Sequence, residues 1–142
     1  MARFANTQGS STEAINTIAD VANLVGQMAY TALTSSSPTL TAAQTVNGIV
    51  NVSGQTAAQT VTLPTAALIC AAIPNCQIGS TFELILQNAN TSSGAVTLAA
   101  GSGNTLVGTT AVPITKTQIY RGIVTNATTA AVSVYGILTA PV

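Results

Sequence analysis

Arg3, Glu13, Asp20, Glu83, Lys116 and Arg121 are the only charged side chains in this sequence, and histidine is absent. General acid–base chemistry needs a group that titrates near neutrality and a neighbour that tunes it. Glu13 and Asp20 are seven residues apart. On a helix rising about 1.5 Å per residue that is about 10 Å, too far for two carboxylates to share a proton. Glu83 stands far away in sequence and reads as an exposed strand residue paired with Lys116 or Arg121. Serine and threonine abound, but a hydrolytic triad needs a base to activate them, and nothing in the flanking sequence marks Lys116 for that role. Cys70 sits in an apolar run, which favours an inert thiol. Gly101-Ser102-Gly103-Asn104-Thr105 has a superficial similarity to a phosphate loop. It lacks the lysine and the following helix, and it reads as a hairpin turn. The expectation is a chain with no catalytic residues, no metal and no cofactor.

The same scarcity of ions bears on partners. Nucleic-acid binding requires a basic footprint, whereas three Lys and Arg residues are balanced here by three Asp and Glu. Charged residues make up 4% of the 142, net charge is zero, and mean hydropathy is +0.50. A free domain ordinarily carries about a quarter of its residues as charges, and a neutral surface without them promotes association. The sequence therefore points to assembly. Its apolar content of 47% suffices for a core, but only five residues are aromatic and much of the rest is alanine. So thin a core is commonly supplemented by oligomerisation.

The longest uninterrupted apolar run, residues 66–73, is ended by Pro74. A membrane-spanning helix needs roughly 20. No secretory pattern follows Met1, so the expectation is synthesis in a cytoplasm and no membrane partner. Bridging Cys70 to Cys76 requires a turn at Pro74-Asn75. Two small buried apolar residues is the preferred reading for a cytosolic product.

Three segments organise the chain. Residues 1–33 read as an arm followed by an amphipathic helix. Ser10 and Glu13 fit a capping box, and Ile15, Ile18, Ala22, Val25, Ala29 and Ala32 recur at alternating spacings of three and four. Ile15, Ile18, Ala22, Val25 and Ala29 are the candidate attachment or oligomer-interface residues. Two readings of this helix stay open: it lies on its own domain, or it docks on another chain. Residues 34–45, with Ser35-Ser36-Ser37-Pro38, read as a linker. Residues 46–142 read as a β domain of many short strands with turn signals every 8 to 12 residues. The expected strands are 46–52, 59–63, 81–88, 95–99, 105–107, 111–114, 118–125 and 131–138. A short helix is expected from Thr65 to Ile73 between the cap Thr65 and the stop Pro74. In residues 81–88, Phe82, Leu84 and Leu86 face one way and Glu83 and Gln87 the other. Ala42-Ala43-Gln44-Thr45-Val46 recurs as Ala57-Ala58-Gln59-Thr60-Val61, read as one strand entry used twice. The expected fold class is mainly β, an antiparallel β-sandwich or small jelly-roll-like barrel with an N-terminal α-helix.

Thr62-Leu63-Pro64-Thr65-Ala66-Ala67, then residues 78–84 (Ile78-Gly79-Ser80-Thr81-Phe82-Glu83-Leu84), Asn88 and residues 96–103, resemble a pattern found in small β-rich virion proteins of tailed phages and other large viruses. These include capsid decoration (cement) proteins and fibre modules. The resemblance covers about half the chain and excludes the N-terminal helix. It implies a homotrimer exposed on a virion.

The leading expectation is thus a non-enzymatic capsid decoration protein. It oligomerises through its β domain and binds the major capsid protein or another virion protein through residues 1–33. A fibre component touching the host is the alternative. A carbohydrate-binding module ranks below both, because such sites stack sugars on exposed aromatics and few are present.

Overall fold

The structure is a computed structural model and describes residues 28–92 and 94–137. In chain order the elements are β1 (Ala29–Leu33), α1 (Ala42–Thr45), β2 (Gly48–Val52), β3 (Gln59–Thr62), α2 (Ala66–Ala72), β4 (Thr81–Asn88), β5 (Val96–Ala99), β6 (Asn104–Val107), β7 (Ala111–Val112), β8 (Thr117–Asn126) and β9 (Ala131–Ile137). A six-stranded sheet runs β1-β2-β4-β8-β9-β6 and a three-stranded sheet runs β3-β5-β7. The expectation of a mainly β fold built on two sheets holds.

Period-two alternation decides which side of each strand meets the core. Val50 and Val52 of β2, Phe82, Leu84 and Leu86 of β4, Tyr120 and Val124 of β8, and Val132 and Val134 of β9 are buried. They form one cluster with Val61, Leu63, Val96, Leu98 and Val112 of the smaller sheet and its flanks. Ala66, Ile69 and Cys70 bring one side of α2 to the same cluster. This helix lies within the expected range. Thr65 Oγ1 accepts from Leu68 N at 3.4 Å, and Pro74 follows its end.

The pairing differs from an antiparallel sandwich. β1–β2, β2–β4, β3–β5 and β6–β9 are parallel, while β4–β8, β5–β7 and β8–β9 are antiparallel. From β2 the chain passes to the other sheet for β3, returns for β4, and crosses again for β5. Each return lays a strand beside its predecessor in the same direction: Gly48 faces Leu84 and Gln59 faces Val96. A hairpin can close in two residues, but parallel neighbours need a crossover of a dozen or more, and here the opposite sheet supplies it. Turn signals show where a chain bends; they do not show whether it bends back on itself or across to another layer. The turn at Gly101–Asn104 is one such case. It joins β5 to β6 in different sheets and is not the expected hairpin.

Three further expectations are corrected. Ala29 and Ala32, assigned to the helical seam, lie in β1, which pairs with β2 along its whole length. Ile15, Ile18, Ala22 and Val25, and with them the expected N-terminal helix, fall outside the described residues. The 34–45 segment is part of the fold: Leu40 is a core residue, Leu40 N donates to Thr62 O at 2.8 Å, and α1 occupies its end. The repeated Ala-Ala-Gln-Thr-Val takes two conformations. The first copy forms α1, where Thr41 Oγ1 accepts from Gln44 N at 3.2 Å and Gln44 Oε1 accepts from Thr41 N at 2.9 Å, a complete capping box. The second copy enters β3, where Val61 is fully buried and Gln59 Oε1 accepts from Ser37 N at 2.8 Å. Identical local propensity yields to different tertiary partners.

Polar groups tie the two sheets together. Asn88, at the end of β4, is fully buried. Its Nδ2 donates to Gly94 O at 3.1 Å and to Val112 O at 3.0 Å, and its Oδ1 accepts from Asn90 Nδ2 at 2.9 Å. Asn88→Leu strands those buried acceptors. Loss of about 2–4 kcal/mol is expected, read by urea denaturation.

Gly122 of β8 faces Phe82 across the β4–β8 pair. A Cβ at Gly122 would lie 2.1 Å from Phe82 Cζ, so the ring occupies the notch that glycine leaves. Gly122→Ala is expected to cost about 1–3 kcal/mol through overpacking. Phe82→Leu in the same chain should recover part of that loss, and a double-mutant cycle of unfolding free energies checks the coupling.

Candidate interaction face

No group of three or more His, Cys, Asp or Glu comes together among the described residues. Glu83 and Arg121 face each other across β4 and β8, with Arg121 Nη2 3.2 Å from Glu83 Oε2. This is one of the two pairings expected for Glu83. The arginine is 60% exposed, so the contact sits in water and is worth about 0–1 kcal/mol.

Cys70 and Cys76 are both free thiols. Cys70 lies in the core and Cys76 packs against it. Burial pushes the Cys70 thiol up to about 11, and the Cys76 side chain adds to the rise. Burial also pushes the Tyr120 hydroxyl up to about 12, and that hydroxyl donates to Thr110 O at 3.1 Å.

The more informative region is the face of the six-stranded sheet turned away from the core. Its residues follow from the same alternation that fills the interior, taken one position out of phase. Tyr30 of β1 faces Ile49 of β2, Ile49 faces Ile85 of β4, Ile85 faces Ile119 of β8, and Ile119 faces Ile137 of β9. Five strands thereby place five large apolar side chains in one continuous row across the sheet. Tyr30 is 63% exposed at one end and Ile137 is 41% exposed at the other, while the three isoleucines between are half-buried by their neighbours. On one side the row is flanked by Ala32, Asn51, Gln87 and Thr117, where Asn51 Nδ2 donates to Tyr30 Oη at 2.9 Å. On the other side lies the row Glu83, Arg121, Tyr135 and Val107. Tyr135 and Val107 are exposed as well. The face therefore carries one mutually neutralised ion pair and otherwise apolar or uncharged groups.

Of the five residues put forward from the sequence for attachment, the structure places only Ala29, whose strand β1 forms this face's edge. Ala29 itself is exposed at the start of β1. The other four lie outside the described residues. The row was missed because each strand was judged by its core-facing alternation. The available signal was Ile85 between Leu84 and Leu86, and Ile119 beside Tyr120: apolar residues on both phases of a strand mark a sheet covered on both sides.

No family model matches the chain, and neither a curated protein nor a solved structure matches it.

The thiol and the phenol set a pH dependence. Both groups hold their protons more tightly folded than unfolded, so their contribution is complete below the unfolded values of 9.0 and 10.0. It is lost as pH rises toward about 11 for Cys70 and about 12 for Tyr120. The melting temperature should therefore fall across that alkaline window, and Tyr120→Phe should flatten the upper part of the fall. Thermal melts in a pH series check this. At pH 8, iodoacetamide should label Cys76 before Cys70, read by peptide mass.

Proposed function

We propose that this chain is a non-enzymatic structural protein of a virion, of the capsid decoration (cement) type. The observation that supports the reading is the uncharged outer face of the six-stranded sheet, with an apolar row where a free domain would carry ions. A surface of that composition gains by being covered. Copies associate through the β fold, as trimers by the resemblance described above. The residues that precede β1 attach the assembly to the major capsid protein or another shell component. The work is mechanical. Each attached assembly bridges neighbouring shell subunits, and many symmetric attachments add avidity without any chemical step.

The test mixes the purified chain with expanded empty shells of the virus that makes it. Co-sedimentation is expected to saturate at a fixed ratio of chains to shell subunits, and decorated shells should survive heating that bursts bare ones. Removing residues 1–27 should abolish binding. Absence of saturable binding, with loss of host adsorption in particles lacking the chain, would assign it to a fibre instead.

A further inference from the structure

We infer that the outer face of the six-stranded sheet is the contact between copies of this chain, and that the row from Tyr30 to Ile137 is the centre of that contact. This rests on the assembly reading above and assigns it a surface.

Size is the first argument. Six strands at about 4.8 Å and four rows of side chains at about 6.8 Å give a footprint of roughly 600–800 Å² once the shorter edge strands are allowed for. A standard stable interface buries about 800 Å² per partner, so the face supplies most of one before any contribution from the rest of the fold.

Charge is the second. A face built for a partner of opposite sign would carry a net charge, and one with a net charge would repel its own copy. This face has neither property. Glu83 and Arg121 cancel each other directly beside the row. Apposing two such faces brings no like-charge cost, and each carboxylate and guanidinium can meet its counterpart from the other copy. A second copy is thus the occupant that the electrostatics favour.

The third argument is composition. Isoleucine at Ile49, Ile85 and Ile119 is β-branched and stiff, so little side-chain entropy is lost when a flat partner covers it. Flat packing of sheet on sheet at about 10 Å is the geometry in which such rows interdigitate. Tyr30 ends the row with an apolar ring whose hydroxyl is already satisfied by Asn51.

The experiment measures mass in solution for the full chain by light scattering over a wide concentration range. Wild type is expected at a small integer multiple of 14.1 kDa. Ile85→Asp places a carboxylate at the centre of the contact and should weaken association by roughly 100-fold or more. Ile137→Asp, at the exposed end of the row, cannot disturb a core and should weaken it by a smaller factor. Thr60→Lys, on the exposed side of β3 in the other sheet, should leave the mass unchanged. Circular dichroism verifies that each variant is folded. If wild type is oligomeric and folded Ile85→Asp and Ile137→Asp remain so, the contact lies elsewhere: this inference falls and the assembly reading stands. If wild type weighs 14.1 kDa at every concentration, both fall, and the face belongs to the chain's own first residues or to another partner.

Discussion

Two sheets are held together by branched aliphatic side chains that meet between them, and every other feature of the molecule is arranged around that contact. Val50, Val52, Leu84 and Leu86 come from one layer, Val61, Leu63, Val96 and Leu98 from the other, and all are buried in a single cluster. Among the described residues Tyr120 is the largest fully buried side chain, and its one polar atom is bonded to a backbone carbonyl. With aromatic content this low, close fitting has to replace bulk. The glycine at 122 that seats the Phe82 ring is one instance. The asparagines at 88 and 90 are another. They satisfy backbone groups where the layers approach and side-chain volume alone would leave carbonyls stranded.

The alternation that fills the interior also fixes the exterior. Once β4 commits Phe82, Leu84 and Leu86 to the core, Glu83, Ile85 and Gln87 have no choice of side. The parallel and antiparallel registers then line up the out-phase residues of neighbouring strands. An apolar stripe across five strands is the cumulative product of single-residue placements on each, and it exists only in the assembled sheet.

That explains what could be read in advance and what could not. Strand positions were legible, because alternation and turn residues are local: β4 occupies the expected 81–88, and α2 lies between its threonine cap and Pro74. The core side of β4 was legible for the same reason, whereas Glu83 had two expected partners, Lys116 and Arg121, and only the β4–β8 register selects Arg121. Partnership was not. Nothing local distinguishes a turn that makes a hairpin from one that leads to the opposite layer, so the parallel pairs were missed. β1 was missed because Ala29 and Ala32 extend a helical spacing, although Tyr30 and Thr31 are strand formers. The repeated Ala-Ala-Gln-Thr-Val shows the limit most clearly, since one pentapeptide serves as a helical turn and as a strand. The outer row was partly legible, strand by strand, but its continuity depended on registers that only the fold supplies.

The winding between layers has a consequence for how the molecule comes into being. β2 cannot find its inner neighbour until β4 has been made, nor β3 until β5, and β6 waits for the final strand β9. Contacts so distant along the chain require large loops to close before any reward is gathered, and folding dominated by them is slow. During that interval a nascent chain displays sticky strands with scarcely an ion to keep its siblings apart. So few charges are a hazard on the ribosome, where synthesis of many copies at once would reward an early encounter with a chaperone.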